Sequence, residues 1–219
     1  MAAVISAAMD RAGPGLRAQE QVTEPFRLSG LADELFNSLI SPNPATRAAA
    51  ARLCGALRLS RSEMWIADLI DDPNSKVREA AIRALGQMGG RRAVESLMAA
   101  VDKIAIYRLA ITLADAASDL DIEALMRQPS SEKAALVTVL ACGLRRDRLR
   151  VPPLLGIAHD RRWPERVRVA ACMALGMIGD VSATDGLSIL AAKESNESVR
   201  KAAARACRRL ERLPGTRSA

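Results

Sequence analysis

Apolar positions along this chain recur at the three- and four-residue spacing of one helix face, and Pro, Gly, Asn or Asp interrupts them about once every dozen residues. From residue 28 the pattern predicts helix, turn, helix, six times over. First helices are expected over residues 28–40, 62–70, 91–101, 119–127, 153–158 and 182–192. Second helices are expected over 44–57, 74–88, 104–117, 131–144, 164–178 and 196–213. Pro42, Pro44, Pro73, Pro129 and Pro164 stand just before or at the start of second helices, where a missing N–H costs little. Asp72, Ser130 and Asn196 are candidate caps there. Gly89, Gly90 and Gly179 follow second helices, where a left-handed residue closes the last turn. Residues 1–26 and 214–219 read as a flexible lead and a disordered tail around a helical body spanning 27–213.

The second helices are copies of one another. Val77-Arg78-Glu79-Ala80-Ala81-Ile82-Arg83-Ala84-Leu85-Gly86 is nearly rewritten as Val167-Arg168-Val169-Ala170-Ala171-Cys172-Met173-Ala174-Leu175-Gly176. Weaker copies begin at Arg47, Arg108, Ala135 and Arg200, so the anchors 47, 78, 108, 135, 168 and 200 lie 31, 30, 27, 33 and 32 residues apart. A helical repeat of this length predicts a stacked array, an all-α solenoid in which each pair buries its apolar face against the next. Six residues after the anchor come Leu53, Ala84, Ala114, Ala141, Ala174 and Ala206, a run of small side chains that marks close helix approach.

Composition sharpens this picture. Hydrophobic residues make up 49% of the chain and aromatic ones 2%, so the core must be built from Ala, Leu, Ile, Val and Met, which suits helix on helix better than strands. Cys54, Cys142, Cys172 and Cys207 are far apart, form no CxxC pair and stand beside a single His, so a zinc site is not expected and the thiols read as small apolar filler. Unpaired cysteines point to a cytoplasmic address. No apolar run approaches the ~20 residues of a membrane span. The net charge is +7, carried by 27 Arg and 5 Lys, which permits anionic partners without requiring them.

Asp72-Pro73, Val77-Arg78, Ala81 and Leu85-Gly86 resemble the pattern of HEAT repeats, in the short bacterial form also found in phycobilin lyases. The resemblance covers residues 28–213 and implies a right-handed superhelix of six HEAT-like pairs with the second helices on its concave side. It also implies a structural ladder of turn acids and helix arginines, for which Asp72 with Arg78, Asp102 with Arg108 and Glu194 with Arg200 are the candidates, each acid six residues before its Arg. The fourth copy has Pro129 and Ala135 at those places and should lack a rung.

No catalytic constellation is visible. His159 is the only histidine, no Gly-rich phosphate loop is present, and the His-Glu pairs of HEAT-type deoxyhypusine hydroxylases are absent, so no enzyme activity, metal or cofactor is expected. Trp65 and Trp163 are too isolated to form a base-stacking platform of the kind HEAT-like DNA glycosylases use. The dense run from Arg145 to Arg168 falls on two different turns and reads as a solvated rim.

The face one, four, five and eight residues after each anchor is charged in the outer copies, for example at Arg83 and Arg205, and apolar in the middle, at Leu109, Leu113, Leu136, Val139, Leu140, Val169 and Met173. Exposed, this stripe is a partner-binding surface for an apolar protein segment with acidic flanks. The alternative is that curvature, or the N-terminal segment folding back, already buries it. The function expected is a non-catalytic scaffold or adaptor. Nucleic-acid binding of the glycosylase-like kind is the second reading, and a bilin-lyase-like assembly role, implied by resemblance alone, is the third.

Overall fold

The structure is a computed structural model that describes residues 31–212; the expected N-terminal lead and C-terminal tail lie outside them. The described residues form twelve α-helices and no strand. The helices are α1 (Leu31–Leu39), α2 (Pro44–Ala56), α3 (Glu63–Asp68), α4 (Ser75–Met88), α5 (Gly90–Ala99), α6 (Ile106–Ala116), α7 (Asp119–Arg127), α8 (Glu132–Arg145), α9 (Val151–His159), α10 (Glu165–Ile178), α11 (Thr184–Lys193) and α12 (Glu197–Glu211). They are the six expected pairs in order, and the fold is an all-α solenoid of short repeats. The chain falls into two compact units, one ending at Leu97 and the other beginning at Met98.

Helix starts follow local chemistry, with the capping residue displaced from two of the expected positions. Asn74, not Asp72, caps α4, accepting from the Lys76 N–H at 2.9 Å, because Asp72 is occupied elsewhere. Ser131, not Ser130, caps α8. Asn196 caps α12 through the Val199 N–H. Ser118 and Asp121 form a reciprocal capping box at α7. Two of the first helices, α3 and α11, start later than the periodicity suggests because each follows a 3₁₀ turn; α9 also follows one, yet it extends beyond the expected 153–158 at both ends. Gly179 closes α10 in the left-handed conformation at φ 76°, as expected of a glycine in that place.

In the first unit α2 packs along α4; in the second, α8 lies between α6 and α10, and α12 lies on α10. The α2–α4, α8–α10 and α10–α12 contacts use the same device. A Cβ built on Gly55 would sit 2.5 Å from the Ala84 Cα, one on Gly143 2.8 Å from the Ala174 Cα, and one on Gly176 3.3 Å from the Ala206 Cα. The residue eight past one anchor therefore meets the alanine six past the next, which explains why both positions are small.

The arginine ladder connects residues differently from the expected pairs. Arg47 grips the Asp72 carboxylate of the next pair with two hydrogen bonds, 2.7 and 3.0 Å, and donates to the Ser41 and Pro42 carbonyls of its own turn. Arg168 donates one hydrogen bond, from Nη2, to the Glu194 carboxylate of the next pair and another, from Nε, to the Ala158 carbonyl. Arg78 and Arg200 hydrogen-bond backbone carbonyls instead: Arg78 those of Asp72 and Pro73, Arg200 those of Glu194 and Ser195. The acid six residues before an arginine thus lends it a carbonyl, while its carboxylate serves the arginine of the preceding pair. The reach explains the exchange: an acid at the head of a second helix stands beside the neighbouring helix's first turn. At the fourth pair, where Ala135 removes the anchor, Arg145 supplies another tie, to the Ala117 carbonyl and to Asp119 at 2.5 Å.

All four cysteines are buried. Burial raises their thiols, Cys54 to about 11 and both Cys142 and Cys172 to about 12, with Cys207 also raised. A buried thiol that stays protonated is a poor nucleophile. In the native protein at pH 8, maleimide or an aromatic disulfide reagent should therefore modify fewer than one thiol per chain over an hour, against four in denaturant. Rapid native modification of Cys142 or Cys172, read by peptide mass, would contradict this packing.

Candidate functional site

The expected apolar stripe does not exist as a continuous surface. Leu109 and Leu113 are fully buried, Leu136 is 8% exposed and Val139 1%. Two causes account for this. On α6 Tyr107, Ile111 and Asp115 form the exposed row, with exposed Arg108 beside it, so the repeat begins at Ile106, two residues before Arg108, and Leu109 and Leu113 turn inward. That shift also takes Arg108 out of the ladder position, and both Asp102 and Arg108 are exposed. The helix α8 is covered by α6, α7 and α10, which narrows its apolar exposure to half-buried Leu140 and Leu144. Arg83 is exposed on α4 in the first unit.

What survives lies on the last two second helices. Val169 is half-buried, Met173 is 52% exposed, and Arg205 is exposed. These three line one groove of about 490 Å³ between α10 and α12. That size falls within the ~300–1,000 Å³ of pockets that hold ligands. Its floor continues to Met177, Gly176, Ala202 and Ala206, and its rim to Lys201 and Arg209.

The groove follows from the repeat. Along α10 the row one, five and nine past the anchor reads Val169, Met173, Met177; along α12 the same row reads Lys201, Arg205, Arg209. Residues four apart sit above one another on a helix, so one wall is an apolar ridge and the other a cationic ridge. The position four past the anchor, Val139 or Cys172, faces the core instead and does not contribute. Met177 and Arg209 are the residues that sequence reasoning missed; extending the Val169–Met173 and Lys201–Arg205 spacing by one more turn would have found them.

Three ties hold the walls in register. The Asn196 side-chain amide donates to Glu165 at 2.7 Å, linking the heads of the two helices. The Arg168–Glu194 pair, both side chains about 5% exposed or less, anchors the turn below. Gly176 lets Ala206 close the floor. The Asn196 N–H and the Arg168 guanidinium hold the Glu194 carboxyl at about 2, far below the usual range, against the opposing effect of burial. The rim is less satisfied. Lys201 pairs with Glu197 one turn back, but neither Arg205 nor Arg209 has a carboxylate partner among the described residues. A row of like charges four residues apart weakens a helix by a few tenths of a kcal/mol per pair, so fold stability does not account for it.

Several basic residues elsewhere are occupied. From the dense run, Arg145, Arg148, Arg150, Arg162 and Arg168 each pair with a carboxylate, Arg148 and Arg162 on the exposed surface. His159 donates from Nε2 to the Gly186 carbonyl at 3.1 Å, and Trp65 stacks on Phe36 with ring centres 5.5 Å apart. No group of three His, Cys, Asp or Glu side chains among the described residues could hold a metal ion. No described helix is long and apolar enough to cross a membrane.

Comparison with known proteins agrees with the fold. The family model for HEAT repeats matches residues 31–114 and 121–208. No curated protein matches the chain. Among solved structures it is similar to human deoxyhypusine hydroxylase in complex with glycerol, at 16% identity and a TM-score of 0.45, covering 97% of this chain and 96% of that one. A designed armadillo repeat protein, YIII(Dq)4CqI, is similar at 17% identity and a TM-score of 0.40, with coverage of 81% and 98%. The complex of CpcE and CpcF of phycocyanin lyase from Nostoc sp. PCC7120 is similar at 15% identity and a TM-score of 0.40, with coverage of 96% and 94%.

Proposed function

Because this chain belongs to the HEAT-repeat family, we propose that it is a non-catalytic scaffold that holds a segment of a partner protein in the groove between α10 and α12. One observation carries the reading: the exposed Met173 thioether lies beside two arginines, Arg205 and Arg209, that have no carboxylate partner among the described residues. Methionine adapts its shape to irregular apolar surfaces, and an arginine free of carboxylates is available to one brought by a partner. The partner segment is therefore apolar with acidic neighbours, as the sequence suggests, but its seat is this groove rather than a stripe across the middle pairs.

Photo-crosslinking tests the seat. A photoreactive residue at Met173 in the full chain should trap a discrete protein adduct in native extract, while one at Leu120, more open to solvent on α7, should not. Arg205→Glu with Arg209→Glu should suppress the Met173 adduct and leave the melting temperature within about 2 °C. Equal labelling at both positions, or an adduct indifferent to the charge reversal, removes the groove as the seat.

The exposed cations Arg205, Arg208, Arg209 and Arg212 near the end of α12 favour nucleic acid as a second reading. It requires affinity for DNA that falls steeply with salt. The groove offers it no aromatic ring for stacking, and phosphate leaves the thioether floor unused.

A further inference from the structure

We infer that the segment held between α10 and α12 is an acidic amphipathic α-helix, lying along the groove with its apolar ridge on Val169, Met173 and Met177 and its carboxylates against Lys201, Arg205 and Arg209. This deepens the protein-binding reading above and rests on it.

Backbone accounting separates a helix from an extended segment. Every amide that enters a dry groove must find a hydrogen-bond partner. The walls here are two helices, and apart from the backbone at Gly176 the lining offers side chains: alkyl groups, two thioethers, the Ser198 hydroxyl and three cations. An extended segment needs a sheet edge or a row of free carbonyls, and the groove has neither. A helix brings its backbone already satisfied and presents only side chains.

Spacing points the same way. Four residues of helix advance about 6 Å, so each wall repeats its chemistry at that interval over two turns, about 12 Å in all. A docked helix repeats its own ridges at the same interval, and ridges of one helix seat between ridges of others. Apolar residues at i, i+4 and i+8 then follow the Val169–Met173–Met177 wall, while acidic residues on the adjoining ridge follow the other.

Charge fixes the sign. Arg205 and Arg209 lack carboxylate partners among the described residues, and the one acid on their own side of the helix, Glu197, is engaged by Lys201. Carboxylates from the occupant would relieve the like-charge row and form charge-assisted hydrogen bonds with the guanidinium groups. A basic occupant meets three cations and is excluded.

The test uses the full chain and four fluorescent probes, read by anisotropy. The first is an 18-residue designed peptide with Leu at i, i+4 and i+8 and Glu on the neighbouring ridge. The second has the same composition with two central prolines, the third has Lys in place of Glu, and the fourth is a single-stranded DNA 20-mer. The acidic helical peptide should bind and gain helical circular dichroism on binding. Arg205→Glu with Arg209→Glu should weaken it about tenfold or more, and Met173→Asp should do likewise. The proline and Lys peptides should bind at least about tenfold more weakly than the parent. Equal binding of the proline peptide overturns the helix while leaving the protein-binding reading intact. Failure of the acidic helix to bind, alongside a Met173 crosslink that persists, has the same meaning. Tight DNA binding abolished by the same charge reversal, with no peptide binding, overturns both.

Discussion

Glu194→Ala is expected to destabilise the second unit by about 3–5 kcal/mol, the cost of leaving one partner of a buried ion pair without the other. Arg168 is 4% exposed; its guanidinium keeps only the Ala158 carbonyl once the carboxylate is gone. Arg168→Ala should cost less, because Glu194 retains the Asn196 N–H and the Ser195 hydroxyl and can take up a proton. The double variant Arg168→Met with Glu194→Met should recover part of the loss, because two buried charges are removed together. Hydrogen exchange along α10 and α12 reports the effect locally, which matters in a chain of two units. A loss under 1 kcal/mol for Glu194→Ala would show that the pair does not hold the turn. The same carboxyl makes the unit acid-sensitive. Its folded value of about 2 lies below the unfolded value of about 4.5, so its contribution is fully present above the unfolded value and disappears as pH falls from about 4.5 towards 2. The difference corresponds to at most about 3 kcal/mol. Asp72, lowered chiefly by Arg47, should act in the same direction in the first unit. Glu194→Gln should flatten this part of the stability curve, and an unchanged slope would assign the acid sensitivity to other groups.

The second large effect runs against helix propensity. Glycine inside a helix is worse than alanine by about 1 kcal/mol, so Gly143→Ala and Gly55→Ala look stabilising from sequence. In the structure the new methyl groups would lie 2.8 and 2.5 Å from the Cα atoms of Ala174 and Ala84. Both obstacles are backbone and cannot rotate aside; relief requires separating α8 from α10, or α2 from α4. The expected loss is about 3 kcal/mol for each, at the upper end of overpacking costs. Gly176→Ala, with 3.3 Å to the Ala206 Cα, should be close to neutral. The graded order Gly55 ≥ Gly143 > Gly176 in urea midpoints is the measurement. A Gly55→Ala protein as stable as the parent would mean the helices are not in this contact.

Both predictions show where sequence reasoning worked and where it stopped. The repeat of Arg, Ala, Leu and Gly placed all six pairs, because helix periodicity and turn residues are local properties of the chain. It also placed Val169 and Met173, in one of the two strongest copies, and Arg205, in the sixth, at positions that are not fully buried. The third copy misled. With neither a clear anchor nor a Gly at its end, its register was read two residues late, and two core leucines were taken for surface. At Leu136 and Val139 the error was of another kind: their helix position was right, but α8 is enclosed by its neighbours. Of the ladder candidates, the acids Asp72 and Glu194 do hold arginines, but those are Arg47 and Arg168 of the preceding copies, because a pair six residues apart within one copy and a pair 25 or 26 apart between copies look equivalent on paper.

By itself, then, the amino-acid order determined the class of fold, the boundaries of most helices and the small residues at which they meet, all set by interactions over a few turns. Only the tertiary structure decided which outward faces remain outward, which carboxylate each arginine holds, and that one apolar ridge and one cationic ridge stand side by side as a groove. The physical reason is that burial and ion pairing depend on which neighbour arrives at a given face, and that is set by helices some thirty residues apart in the chain.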